Sequence, residues 1–264
     1  MNSFLRTGLW VLILGGHSSF SGASPVAIPH LDDQPWVMAG VGYQPGTREV
    51  LFYEYHRFDL DDEGYVKQRY VEYRHPDGEL KSVKQIEYRP GTPWTPKFHY
   101  RDLELDYQVG VDVTRNDVTS NRGNQQRLGL MYSKVAQEAK EQASARLMPN
   151  TVIDAGFDAY IQKVWPKLTE GDTVSFEFLA PLKLTQYDFS LKKVSENKDI
   201  CELEMSLDWW PIDLLIDPVK LSYQCSSKQL MRYQGLTNLR DEKGDQYTAD
   251  IHYQWFKAYP PFRF

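Results

Sequence analysis

Two short stretches constrain this chain more than any other feature. In the first, Cys201, Leu203, Met205 and Leu207 alternate with Glu202, Glu204 and Ser206. In the second, Val219, Leu221, Tyr223 and Cys225 alternate with Lys220, Ser222 and Gln224. A period of two with this contrast describes a strand with one buried and one wet face. Each cysteine lies on the apolar face of its stretch. Antiparallel pairing with Cys201 opposite Cys225 sets Leu203 against Tyr223, Met205 against Leu221 and Leu207 against Val219, and a one-residue slip would undo every match. The expectation is a cross-strand disulfide, Cys201–Cys225, in an antiparallel sheet.

The same period recurs along most of the chain. It is clearest in Leu103, Leu105, Tyr107, Val109, Val111 and Val113, and it reappears in Leu51–Phe58, Tyr65–Tyr73, Leu80–Tyr88 and Tyr247–Trp255. Turn residues separate these runs, among them Asp61-Asp62-Glu63-Gly64 and Pro76-Asp77-Gly78. Weaker strands are expected at Leu128–Ser133 and Gln142–Met148. One helix interrupts the pattern: Phe157, Ile161, Val164, Trp165 and Leu168 share a helical face over about 156–168, with Asp154 as a candidate cap, Pro166 as an expected irregularity and Gly171 as its end. The predicted fold is mainly β: one large antiparallel, strongly curved sheet or partly open barrel with one amphipathic helix packed on it.

The amino terminus reads as an export signal over residues 1–23. Arg6 is its positive n-region, Gly8–Leu14 its apolar core, and Ser21 and Ala23 its small residues at −3 and −1 of the cut. The apolar run is well short of the ~20 residues a membrane span needs. Residues 24–48 read as an extended lead-in, and 49–264 as a single antiparallel β domain, with the proline-rich stretch Pro90–Pro96 as the one candidate break. The expected compartment is oxidising, which suits the disulfide. The formal charge of −6 excludes the basic surface a nucleic-acid binder needs.

Catalytic motifs are not found. There is no H-E-x-x-H pattern, G-x-S-x-G elbow or phosphate loop. His99, Asp102, Glu104 and Asp106 cluster in sequence, but Glu104 and Asp106 fall on the wet face of the clearest run, so the group reads as solvated. No metal, cofactor or catalytic residue is assigned, and the chain reads as a non-enzyme.

The connector Asp208-Trp209-Trp210-Pro211-Ile212-Asp213-Leu214-Leu215-Ile216-Asp217-Pro218 is unusually apolar for a surface connection. It reads as a plug, as a lid on a hydrophobic cavity, or as a patch that touches membrane or a partner. Phe157 and Trp165 on the helix, with Trp209, Trp210, Leu214 and Leu215 on the connector, are the candidate lining of a site for a hydrophobic small molecule or acyl chain; the same residues could instead fill an ordinary core.

The segments Val152-Ile153-Asp154-Ala155-Gly156-Phe157-Asp158 and Tyr233-Gln234-Gly235-Leu236-Thr237-Asn238-Leu239-Arg240-Asp241 resemble an uncharacterised family of exported proteins of Gram-negative bacteria. The resemblance covers about the last 115 residues and implies a periplasmic location. More distantly, the chain is similar in architecture to envelope proteins that hold lipid or lipoprotein acyl chains in a curved sheet closed by a helix. The function expected is therefore a periplasmic protein that binds a hydrophobic ligand. The alternatives are an envelope scaffold that meets a protein partner through 208–218, an outer-membrane β-barrel, and an envelope hydrolase.

Overall fold

The structure is a computed structural model that describes residues 28–29, 36–116, 126–135, 139–208 and 217–264. Its strands are β1 (Met38–Tyr43), β2 (Val50–Leu60), β3 (Val66–Arg74), β4 (Leu80–Glu87), β5 (Lys97–Asp102), β6 (Tyr107–Asn116), β7 (Gln126–Val135), β8 (Glu141–Arg146), β9 (Thr151–Ile153), β10 (Val174–Ala180), β11 (Thr185–Asn197), β12 (Ile200–Leu207), β13 (Val219–Gln224), β14 (Gln229–Arg240) and β15 (Gln246–Trp255). The helix α1 spans Phe157–Glu170 and follows a single 3-10 turn at Asp154–Gly156.

All fifteen strands form one sheet in the order β8-β7-β6-β5-β4-β3-β2-β1-β15-β14-β13-β12-β11-β10-β9. Neighbours pair antiparallel except β9 with β10. The sheet is open, with β8 and β9 as its edges, and it curls so that β8 comes near β11. This is the predicted curved sheet with one helix on it. α1 lies on the inner side and buries Tyr160, Ile161, Val164, Trp165 and Leu168 against β10–β14. The helix continues through Pro166 to Glu170, and Gly171 ends it in the left-handed conformation at φ 94°.

Four details depart from the sequence reading. First, the expected lead-in contains β1, which sits between β2 and β15 and joins the two halves of the sheet. After Met38, its inner face is glycine, Gly40 and Gly42: a Cβ on Gly40 would lie 2.8 Å from Glu54 Cγ and 2.9 Å from the Tyr253 ring. The larger neighbours fill that space, which removes the apolar alternation that reveals a strand. Second, Leu103–Val113 is not one strand. Residues 103–106 form a turn, held by Asp102 Oδ1, which accepts the N–H groups of Glu104 and Leu105 at 3.0 Å each. Leu103 is left exposed, and β5 precedes the turn. Third, Asp154 does not cap the helix; its carboxylate pairs with Lys84.

Fourth, the disulfide Cys201–Cys225 is present, but its register differs by two residues. Cys201 faces Tyr223, Leu203 faces Leu221 and Met205 faces Val219. Bonds from the turn that precedes β12 to the turn that follows β13 hold this offset. Lys198 and Asp199 both take positive φ, as a two-residue type I′ turn requires. Asp199 then holds the next turn, accepting the Ser226 N–H at 2.8 Å and the Ser226 hydroxyl at 2.6 Å, so Asp199, and not Cys201, faces Cys225. A shift of two preserves the face of every side chain. The disulfide therefore runs diagonally, with the two Cα atoms 5.3 Å apart.

Candidate functional site

Two groups of side chains meet at the start of the helix. The first is apolar. Phe176 on β10 is buried and lies 5.7 Å from Phe157, 5.3 Å from Tyr160 and 5.9 Å, stacked, from Phe189. Phe178 meets Phe189 edge-on at 6.0 Å. Phe157, Phe178 and Phe189 remain only half-buried, as do Met205 and Val219. The connector is rooted at this end. Phe189 pairs with Leu207, and the next residue, Asp208, donates its N–H to Asp188 O at 2.8 Å. Its far end enters β13 at Val219.

Among the six predicted lining residues, Phe157 belongs to this half-buried group. Trp165 lies deeper: it is buried, packs edge-on against Tyr223 at 5.8 Å and fills the core. Trp209, Trp210, Leu214 and Leu215 lie outside the described residues.

The second group is charged and was not singled out from the sequence. Glu54, His56, Arg69 and Lys84 point inward from β2, β3 and β4 and are at most 6% exposed. Two ion pairs tie them to the helix start: Arg69 Nη1 to Asp158 Oδ2 at 2.6 Å, and Lys84 Nζ to Asp154 Oδ2 at 2.8 Å. Tyr259 donates to Asp158 at 3.3 Å. Behind Arg69, its Nε donates to His56 Nδ1 at 3.1 Å, and His56 Nε2 lies 3.2 Å from Glu54 Oε1. An arginine does not give up its proton, so Nδ1 must be bare and the ring neutral, with its remaining proton on the Glu54 side. Burial, and then the Arg69 charge, push the His56 pKa down to about 4. Burial alone would raise Glu54, but His56, Tyr253 and Arg69 outweigh it and hold the carboxyl below its ordinary range.

A signal for this group was present in the sequence. Glu54 and His56 share the parity of Phe52 and Phe58, and Arg69 shares that of Val71 and Tyr73. Polar residues at inward positions of an aromatic strand are the informative exceptions. Chemically, the group is an ion network that closes the sheet onto the helix, with Glu54, His56, Arg69 and Lys84 buried and Asp154 and Asp158 partly exposed. Of His99, Asp102, Glu104 and Asp106, read from the sequence as solvated, Asp102 is instead fully buried because its carboxylate holds the 103–106 turn; Glu104 bridges His75 at 2.6 Å and Lys81 at 2.7 Å, and His99 faces outward on β5. Among the described residues, the one grouping of metal-ligating type is Glu196 with Cys201 and Cys225, whose sulfurs are bonded to each other.

No protein-family model and no curated protein matches this chain. Among solved structures the chain is similar to a β-barrel-like protein of the domain of unknown function DUF1849 from Brucella abortus, at 5% identity, over 84% of this chain and 97% of that one, with a TM-score of 0.38. A likeness of this size carries no inference about what this chain does. Among the described residues no helix is long and apolar enough to cross a membrane.

Proposed function

We propose that this is a non-enzymatic periplasmic protein that holds a hydrophobic ligand or acyl chain at the apolar end of its sheet. One observation carries the reading: Phe157, Phe178 and Phe189, with Met205 and Val219 beside them, stay half-buried at one end of the inner face, and the apolar connector starts and ends there. α1 and ring-to-ring contacts occupy much of the interior along the sheet, which favours this end for a ligand. The filled interior also supports a second reading, an envelope scaffold whose protein partner docks on 208–218. A lipid-facing barrel fits poorly. Its outer face must be an apolar band, and the outer faces of β2–β5 carry Arg57, Asp59, Glu87 and Lys97.

Mass spectrometry of the mature protein, purified gently from its native source before and after organic extraction, tests the proposal. A stoichiometric apolar molecule that leaves on extraction, and is absent from the Phe178→Glu variant, is the expected result. A ligand-free mass contradicts the carrier reading and favours the scaffold.

A further inference from the structure

The outer face of the sheet carries a feature that a wet β-surface does not need. Over β2–β5 it forms a groove of about 240 Å³. Two cross-strand rows line it. In one, Arg57, Tyr70, Gln85 and His99 stand directly opposite one another on successive strands. In the other, Asp59, Gln68, Glu87 and Lys97 do the same. Such rows place side chains about 5 Å apart across a sheet, a spacing that offers one ligand several polar contacts at once.

The wall of the groove is built. His99 faces Gly110 on β6, and Gly110 faces Tyr132 on β7. Tyr132 points outward yet is only 3% exposed. Its hydroxyl contacts the His99 ring, Lys140 Nζ sits 4.0 Å above its ring, and it occupies the space that a side chain at Gly110 would need. At the other end, the Arg57 guanidinium lies over the Tyr70 ring at 5.2 Å, which makes one flat wall.

The charges are matched locally. Arg57 Nε lies 3.6 Å from Asp59, Lys97 Nζ lies 3.2 Å from Asp112, and Glu87 stands opposite Lys97. Burial holds His99 below its ordinary pKa, so the ring adds no charge at neutral pH. With Arg57 and Lys97 balanced by Asp59 and Glu87, the groove offers no net charge to draw an anion or a cation. What remains on offer is neutral and two-sided: the amides of Gln68 and Gln85 each donate and accept, and so does the Tyr70 hydroxyl. A ligand that uses such a surface carries donors and acceptors side by side on a compact ring. The groove is smaller than the 300–1,000 Å³ typical of drug-sized ligands, which favours a unit of single-ring size.

We propose that the β2–β5 groove binds a neutral carbohydrate, taking one sugar ring of a glycan between the Tyr70–Arg57 wall and the His99–Tyr132 wall, with Gln68 and Gln85 on its hydroxyls. The site lies on the face opposite the apolar end of the interior and is independent of the carrier reading.

Calorimetric titration of the mature chain with chitohexaose, cellohexaose and maltohexaose tests it, with inorganic phosphate and a heparin hexasaccharide as charged probes. Saturable binding of at least one neutral sugar is expected, with a Kd on the order of 0.1–1 mM. Tyr70→Ala and Gln85→Glu are each expected to weaken it about tenfold or more, and Lys192→Ala on β11 to leave it unchanged. Gln85→Glu keeps the shape of an exposed side chain, so it remains a test even where Tyr70→Ala disturbs the sheet. No binding of any neutral sugar, binding that survives Gln85→Glu, or tighter binding of heparin or phosphate would overturn the proposal.

Discussion

The two halves of this sheet face the same interior and fill it differently. On β10–β14 the inner face is apolar: Phe176, Leu191, Leu203, Leu221 and Tyr223 pack on the helix stripe, and the Cys201–Cys225 disulfide sits among them. On β2–β4 the inner face mixes Phe52, Phe58 and Val71 with Glu54, His56, Arg69 and Lys84. The apolar half can bury the helix by area alone. The mixed half cannot, because each inward charge needs a partner. Asp154 and Asp158, at the start of the helix, supply partners for Lys84 and Arg69. The difference shows how the helix is positioned: one half grips its length, and the other fixes its beginning.

The largest effect is expected in the mixed half. Arg69→Met leaves the partly buried Asp158 with the Tyr259 hydroxyl but without its cation and should cost up to about 4 kcal/mol, read as a lower urea midpoint. Next comes the staple of the apolar half. Replacing both Cys201 and Cys225 by serine should cost about 3.5 kcal/mol in the chain-entropy model, and hydrogen exchange should rise in β12 and β13 before it rises in β2 and β3. An equal loss of protection in both halves would mean that they do not behave as separate units.

The pH dependence follows from His56. Its folded pKa of about 4 lies below the unfolded value of 6.5, so the unfolded chain takes up the proton first. Stability is complete above about pH 6.5 and falls as pH drops toward 4, by about 3 kcal/mol for this group. His56→Gln should flatten that part of the curve, which urea midpoints across pH 4–7 would show. A smaller effect is expected where the halves join. Gly40→Ala puts a methyl against Glu54 and Tyr253 and should cost about 1–3 kcal/mol, measured by thermal denaturation.

The apolar half was the more legible one. Its helix stripe, its alternating strands and its disulfide all follow from periodicity, because one face is buried and one is wet. The two-residue offset of the disulfide did not follow, since it is set by Lys198, Asp199 and Ser226, which are turn residues with no apolar signal. The mixed half hid more. β1 reads as a lead-in because its inward residues include Gly40 and Gly42. The run from Leu103 reads as strand because the turn at Asp102 depends on a side-chain hydrogen bond and not on composition. Of the candidate ligand residues, Phe157 lies in the half-buried group and Trp165 in the core, a difference of depth that one helical face cannot express. The outer groove was invisible, since its polar residues are what any wet face shows; only the cross-strand rows reveal it.

The claim at the centre of this account is that buried charge in one half of the sheet fixes the helix held by the other. A double-mutant cycle on Arg69→Met and Asp158→Asn measures it directly. The account predicts a coupling of about 2–3 kcal/mol between the two sites, whereas free energies that add to within about 0.5 kcal/mol would contradict it.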